Sequence, residues 1–146
     1  MKLREIKDPW IAKEKFDYIA NVQQKLNHEK WIEFIDKNLD YYTWLEDTAD
    51  GRKTLDNLEA IPMEFRQSIL DTHSKSKVYA EFSTKKKYYD VIITFNKDFG
   101  VIGTTFQKPI TQEHLRKLLD MAIFLNANVL NNGNEIIDEK MLGELE

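Results

Sequence analysis

Cysteine is absent from the chain, and its absence excludes several kinds of chemistry. Disulfide bonds, thiolate nucleophiles and cysteine-based zinc sites are all impossible, so the fold must be stable without them. Glycine is scarce as well, at five among the 146 residues. Gly100 and Gly103 form a close pair, but the third glycine and the Lys-Ser/Thr of a phosphate-binding loop are missing. We therefore expect no nucleotide site in this stretch.

The chain also lacks long apolar runs and an excess of basic residues. No run approaches the roughly 20 apolar residues that a membrane-spanning helix needs. The first ten residues, MKLREIKDPW, lack the apolar core of a signal peptide. The formal net charge of -4 disfavours a general attraction to nucleic acid or anionic membranes. These absences predict a soluble cytoplasmic protein with no membrane contact.

The residues that are present predict one α+β domain covering residues 1–146. Hydrophobic residues make up 42% of the chain and charged residues 32%, as in a folded globular protein. Helical periodicity dominates residues 1–73, and a period of two begins shortly after them. Helices followed by strands and a further helix are typical of helices gathered on one face of an antiparallel sheet.

Four helices are predicted in the N-terminal half. The first begins at Asp8, since aspartate is a good N-cap and a proline follows it at the first helical position. The second begins after Asn27 and ends at Gly51, because glycine readily closes helices. Thr54 is predicted to cap the third helix and Pro62 to open the fourth as its first residue. The expected buried side chains are Phe16, Ile19, Val22 and Leu26; Trp31 or Ile32, Ile35, Leu39 and Tyr42; Leu55, Leu58 and Ile61; and Phe65, Ile69 and Leu70.

An antiparallel β-meander is predicted over residues 77–106, with short turns between its strands. A long helix over residues 111–126 follows it. A short final hairpin over residues 127–138 is predicted around the dipeptide Asn132-Gly133. In the first strand Val78, Ala80 and Phe82 alternate with Tyr79, Glu81 and Ser83. In the second strand Tyr89, Val91, Ile93 and Phe95 alternate with Tyr88, Asp90, Ile92 and Thr94.

No catalytic or metal-binding motif is present. His28, His73 and His114 are widely spaced, and none has a second metal ligand at helical spacing. We therefore expect no enzymatic activity, no metal ion and no cofactor. An active site could still be assembled from dispersed residues such as His73, Glu81 and Asp90. The strands could also serve to join copies of the chain.

The first hairpin, Lys85–Tyr89, combines three lysines with two tyrosines. Positive charge and ring stacking make it a candidate site for RNA or a nucleotide. Three lysines at a hairpin tip equally keep an exposed turn hydrated and prevent aggregation at a sheet edge. A small RNA- or nucleotide-binding domain is therefore the alternative function.

The stretch from Asp40 to Asp50, DYYTWLEDTAD, combines aromatic rings with carboxylates and contains no base. Tyr42 continues the apolar stripe of the second helix, so part of the cluster belongs to the core. The same spacing turns Tyr41 and Trp44 to a neighbouring face, where they either seal the helix end or face solvent. Exposed rings among carboxylates would bind a cationic partner. The candidate partner-binding residues are Asp40, Tyr41, Tyr42, Trp44, Glu46, Asp47 and Asp50.

This stretch resembles the aromatic and acidic recognition surface of colicin-nuclease immunity proteins. The small, acidic, cysteine-free chain is also similar to bacterial immunity proteins against contact-dependent growth-inhibition and other polymorphic toxins. The resemblance implies a cytoplasmic protein that binds and neutralises one cognate toxin domain, a basic nuclease. The rings would anchor that complex, and the carboxylates would steer and bind arginine or lysine. Colicin inhibitors are all-helical, however, whereas this chain has strands from Val78 onward.

Overall fold

Residues 2–145 are described by a computed structural model, and seven β-strands among them form one antiparallel sheet. The strands are β1 (Trp10–Ala12), β2 (Thr43–Trp44), β3 (Lys77–Ser83), β4 (Tyr88–Asn96), β5 (Val101–Phe106), β6 (Asn128–Asn131) and β7 (Glu135–Ile137). Their order across the sheet is β2-β3-β4-β5-β1-β6-β7. The predicted meander is β3, β4 and β5, and the predicted hairpin is β6 and β7.

Five α-helices accompany the sheet within the same residues: α1 (His28–Asp36), α2 (Ala49–Asp56), α3 (Met63–Thr72), α4 (Gln112–Phe124) and α5 (Glu139–Glu144). α1 begins after its predicted cap Asn27, whose side chain accepts a hydrogen bond from the backbone N–H of Lys30 at 2.9 Å. α4 is the predicted long C-terminal helix, and the α+β class is confirmed. None of these helices is both long and apolar enough to cross a membrane.

The predicted first helix, which was to begin at Asp8 and carry Phe16, Ile19, Val22 and Leu26, is wrong. β1 lies inside the sheet instead, where Ile11 pairs with Ile102 of β5 and with Val129 of β6. The residues after β1 form only a 3₁₀ turn at Ile19–Asn21. Pairing on both sides satisfies the backbone of β1 and buries Ile11 completely, which outweighs the local helical pattern.

The second predicted helix begins where we expected, after Asn27, but it ends well before the predicted end at Gly51. α1 ends at Asp36, because the chain must turn back to pair β2 with β3. Leu39 is consequently 52% exposed rather than part of an apolar stripe. Gly51 lies inside α2 and does not end a helix, and the side chain that caps α2 is Thr48 rather than Thr54.

The predicted fourth helix exists as α3, but its environment differs from the prediction. Pro62 is the N-cap rather than the first helical residue, and no side chain of α3 is buried. Phe65 and Leu70, which we expected in the core, are 55% and 42% exposed. α3 therefore presents apolar side chains to solvent.

Side chains pack on both sides of the sheet. On one side α1 and α4 cover it, and the main core includes Trp31, Ile35, Leu115, Leu118 and Met121. On the opposite side, which we call the outer side, Trp10, Phe16 and Val22 form a second cluster. The Trp10 ring there lies against Gly103 of β5. The outer side is open over β3 and β4, where Phe82 is 51% exposed.

Candidate binding surfaces

Two of the three aromatic rings in the stretch from Asp40 to Asp50 lie in the core. Tyr42 is 3% exposed and Trp44 is 1% exposed. Trp44 belongs to β2, and its indole N–H donates a hydrogen bond to Asp36 at 3.0 Å. Its ring also meets the Trp31 ring edge to face. The core position predicted for Tyr42 is confirmed, and of the two alternatives for Trp44 sealing the interior is the one that holds. Neither ring is free to anchor a partner.

Tyr41 is half-buried and already engaged within the protein. Its hydroxyl donates a hydrogen bond to Glu81, and the Lys117 ammonium lies 4.2 Å from the centre of its ring. Burial, together with the hydrogen bond to Glu81 and the charge of that carboxylate, raises the pKa of the Tyr41 hydroxyl well above its usual value. The third ring is therefore no free anchor either.

Glu81 is the centre of a polar cluster that joins β3 to α4. Besides Tyr41, its carboxylate contacts His114 Nε2 at 2.8 Å and the Lys108 ammonium. His114 Nδ1 accepts a hydrogen bond from the backbone N–H of Thr111 at 3.0 Å, so the proton of the neutral ring is on Nε2, toward Glu81. Burial by itself would raise the pKa of Glu81, but hydrogen bonds from Lys108 and Tyr41 and the contact with His114 lower it to about 2.

Asp90 lies beside this cluster and is buried. Its carboxylate is 2.7 Å from the Lys86 ammonium and 3.9 Å from that of Lys108. The fold thus brings together Glu81 and Asp90, two of the dispersed residues that we considered for an active site. His73 is not with them, because it lies at the end of α3 with Nδ1 2.7 Å from a carbonyl oxygen of the same helix.

Sequence reasoning did not identify His114, Lys108 or Tyr41 as members of the cluster. The spacing of Thr111 and His114 at the start of α4 is a capping pattern that places the histidine at the helix start. Its pairing with Glu81, however, has no local signal. The gap beside Tyr41 and His114 leaves no room for a water molecule. These groups form a packed ion-pair network with no substrate cavity between Tyr41 and His114.

Negative charge is concentrated in residues 45–72, which contain α2 and α3 and which we call the acidic segment. It has seven carboxylates and three bases, a balance of -4 that equals the charge of the whole chain. Its exposed carboxylates are Asp47, Asp50, Asp56, Glu59, Glu64 and Asp71. The remaining one, Glu46, accepts a hydrogen bond from the backbone N–H of Lys75. Within residues 2–145, none of the seven forms a salt bridge.

α3 adds exposed apolar side chains to this charged surface. Met63 is 79% exposed, and Phe65 and Leu70 are more than two-fifths exposed, at 55% and 42%. The carboxylates of Glu64 and Asp71 are neighbours of these residues in the sequence. Large apolar side chains left uncovered in this way are typical of a protein-binding surface.

A cleft of about 430 Å³ lies on the outer side of the sheet, between the start of α2 and the strands β3 and β4. We call it the aromatic cleft, because four aromatic residues line it: Tyr79, Phe82, Tyr88 and Tyr89. The centre of the Tyr89 ring is 5.2 Å from that of Tyr79 and 5.0 Å from that of Phe82. Asp50 of α2 and Lys87 of the hairpin turn also line it.

The aromatic cleft exists because the alternation of side chains is broken within β3. Strict alternation would place Tyr79 and Phe82 on opposite faces, yet both rings contact Tyr89. Glu81, between them, has a left-handed backbone with φ of 57°, which turns the following residue to the outer side. The predicted alternation therefore fails at Phe82 and Tyr89, and Asp90 is buried next to the buried Val91.

Comparison of the chain with protein-family models, with curated proteins and with solved structures gave no match. The function of these surfaces must therefore be inferred from their own residues. Two surfaces are the candidates: the acidic segment with the exposed side chains of α3, and the aromatic cleft beside it.

Proposed function

We propose that the protein binds a partner protein with a basic surface, and that the acidic segment is the surface it uses. The placement of charge carries this proposal. The balance of -4 in residues 45–72 equals the charge of the whole chain. Within residues 2–145 its carboxylates have no salt-bridge partners. Such a field attracts a cationic surface and raises the rate of association.

α3 supplies the hydrophobic contact that charge by itself does not provide. Carboxylates at the rim of an interface act mainly on association, whereas well-packed apolar side chains slow dissociation. Met63, Phe65 and Leu70 are exposed in the free protein. Covering them would contribute about 25 cal/mol for each Å² of apolar surface removed from water. In this proposal they take the anchoring role that we first expected of residues 41, 42 and 44.

The partner that we propose is a nuclease toxin domain, so the function is that of an immunity protein in the cytoplasm. A nuclease holds phosphates with cationic side chains, and an acidic protein can cover such a site. The carboxylates in the stretch that resembles colicin-nuclease immunity proteins support this partner, because Asp40, Asp47 and Asp50 are exposed. The aromatic rings of that stretch, which belong to residues 41, 42 and 44, do not take part in the binding.

Charge reversal in the acidic segment tests the proposal. The partner to be tested is the C-terminal domain of any secreted toxin that is encoded beside the gene, produced together with this protein so that the host cell survives. For Glu59→Lys/Glu64→Lys we expect association at least roughly tenfold slower at low salt. Its melting temperature should stay close to that of the parent, because both side chains are exposed. Glu46 is left unchanged, since its carboxylate accepts a backbone hydrogen bond.

A matched control changes the charge by the same amount outside the acidic segment. Glu29 and Asp98 are both exposed, so Glu29→Lys/Asp98→Lys should associate within roughly threefold of the parent rate. If the two double variants associate equally slowly, the effect depends on the overall charge of the protein, and the acidic segment is not the binding surface. Failure of the parent protein to bind the neighbouring toxin, or to protect cells from it, would overturn the function itself.

RNA binding at the hairpin Lys85–Tyr89 is a second candidate, supported by one contact. The Lys86 ammonium lies 5.0 Å from the centre of the Tyr88 ring, and that ring is 39% exposed. Retention of single-stranded RNA that weakens with salt and is lost in Lys85→Ala/Lys87→Ala would support it. Lys86 is kept in that variant because it pairs with Asp90. Unchanged retention in the variant would exclude the hairpin as the site.

A further inference from the structure

Among the described residues, three rings of the aromatic cleft, those of Tyr79, Phe82 and Tyr89, have no cation over them, unlike its fourth ring, Tyr88. Four rings lie under lysines of the chain itself: Tyr41 under Lys117 at 4.2 Å, Trp44 under Lys75 at 4.7 Å, Tyr88 under Lys86 at 5.0 Å and Phe124 under Lys37 at 5.3 Å. Within residues 2–145, no lysine or arginine lies over Tyr79, Phe82 or Tyr89 in this way. Ring faces attract cations, so the cleft offers positions for a cation from another molecule.

One wall of the aromatic cleft belongs to the acidic segment. Leu45, Thr48 and Asp50 line the cleft from this wall. Burial raises the pKa of the Tyr79 hydroxyl, and the negative charge of Asp50 raises it further. The Asp50 carboxylate therefore contributes to the electrostatic environment of this side chain. Asp50 is exposed and, like the other carboxylates of its segment, has no salt-bridge partner within residues 2–145.

The cationic residue of the cleft, Lys87, lies toward its other end. Tyr79 pairs with Ile92, whereas Ser83, four residues further along β3, pairs with Tyr88. Four residues of extended strand span roughly 13 Å. The backbone of Tyr79 is thus further from the turn that contains Lys87 than the Debye length of about 8 Å in physiological salt, so repulsion by this lysine is weakest at the Tyr79 end.

We propose that the aromatic cleft binds an arginine side chain of the partner, with its guanidinium against the rings of Tyr79 and Tyr89 and its N–H groups on the Asp50 carboxylate. This inference rests on the proposed function, since it names one contact of the same basic partner. Arginine suits the site better than lysine because its planar head stacks on rings and donates two parallel hydrogen bonds to a carboxylate. A nucleotide would instead bring its negative charge against an acidic wall.

A small arginine derivative tests the site without the partner. The probes are N-acetyl-arginine methylamide, its neutral analogue N-acetyl-citrulline methylamide, and adenosine monophosphate, each added to the ¹⁵N-labelled protein in an NMR titration. The arginine probe should shift the backbone signals of Asp50, Tyr79 and Tyr89. The citrulline probe should bind at least roughly fivefold more weakly, because it keeps the shape but loses the charge.

Two variants locate the contact. Asp50→Asn should weaken the arginine probe about fivefold and leave the citrulline probe unchanged, while Asp98→Asn, an exposed carboxylate outside the acidic segment, should change neither. Tyr89→Leu should weaken the arginine probe as well, with the remaining spectrum serving as the check that the variant is folded. Equal binding of the two amides would overturn the inference. So would tighter binding of adenosine monophosphate, and that result would favour the RNA candidate.

The outcome for the aromatic cleft is separate from that for the proposed function. If the arginine probe fails while Glu59→Lys/Glu64→Lys still slows association with the toxin, only the cleft assignment falls. If the probe binds as expected but the neighbouring toxin is not bound, the immunity function falls and an arginine-binding cleft remains.

Discussion

Glu81 combines an unfavourable backbone conformation with an unusually complete set of side-chain partners. A left-handed conformation at a residue other than glycine costs on the order of 1–3 kcal/mol and persists only when the surroundings hold it. Here Tyr41, His114 and Lys108 all contact the carboxylate. The same backbone turns Phe82 to the outer side, so this residue connects the packed polar cluster to the open aromatic cleft.

The lowered pKa of Glu81 predicts how the stability of the protein depends on pH. The folded-state pKa is about 2, below the ordinary value of 4.5. The stabilisation is therefore complete above about pH 4.5 and is lost as the pH falls toward 2. In urea unfolding, the parent should lose more stability over this range than Glu81→Gln. The variant should be less stable by roughly 1–3 kcal/mol near neutral pH. Parallel pH profiles for the two proteins would contradict this assignment.

α2 shows how a close approach, rather than a helix end, can require glycine. A Cβ at Gly51 would lie 1.7 Å from the carbonyl oxygen of Leu45, which is closer than atoms can pack. The glycine thus allows the start of α2 to fold against the 3₁₀ turn at Leu45–Asp47. α2 in turn forms a wall of the aromatic cleft and carries Asp50.

A pair of glycine substitutions in two helices tests this explanation. Alanine is normally the better helix former by about 1 kcal/mol. Gly143→Ala in α5 should therefore stabilise the protein slightly, since no atom outside its neighbours lies within 4 Å of the new Cβ. Gly51→Ala should instead destabilise it by roughly 1–3 kcal/mol, because the chain must shift to accept the methyl group. Thermal unfolding measures both. Stabilisation by Gly51→Ala would show that the close approach does not exist.

The whole molecule depends on a short strand from the start of the chain. β1 separates the meander from the final hairpin in the sheet order, and it pairs with β5 on one side and β6 on the other. β1 also contributes side chains to the apolar clusters on both sides of the sheet. Ile11 belongs to the main core, whereas Trp10 and Ala12 belong to the cluster on the outer side. We therefore expect the two parts of the sheet to unfold together.

Truncation of Ile11 tests this cooperativity. Ile11→Ala should lower the free energy of unfolding by roughly 2–5 kcal/mol, as expected for a fully buried isoleucine. The fluorescence of the three tryptophans and the far-ultraviolet circular dichroism should show one coincident transition in both proteins. Separate transitions by the two probes would indicate that the meander is stable without β1.

Charge is also organised at the scale of the whole molecule. The acidic segment has the net charge of the chain, while the remainder contains acids and bases in equal number. The segment is contiguous in sequence, so this feature could have been recognised without a structure. That its carboxylates are exposed and free of salt bridges within residues 2–145 follows only from the tertiary contacts.

Local sequence by itself determined the elements whose signals are short in range. The meander followed from a period of two with turn residues between strands, and the final hairpin followed from Asn132-Gly133. α1 followed from its cap at Asn27. Each of these signals lies within a few residues of the structure that it specifies, so no distant part of the chain is needed to interpret it.

Tertiary structure alone decided which rings are exposed. Trp44 is buried by Trp31 and by pairing with Val78, and Tyr41 is engaged by Glu81, forty residues away. The helical spacing of the rings could not show which of them are exposed and which lie in the core. The burial of a ring depends on contacts with distant segments of the chain, and local periodicity carries no information about those contacts. The same reason explains β1, whose pairing partners lie about ninety residues or more further along the chain. The binding surface that we propose is therefore formed by the acidic segment and the aromatic cleft, and not by the rings of residues 41–44.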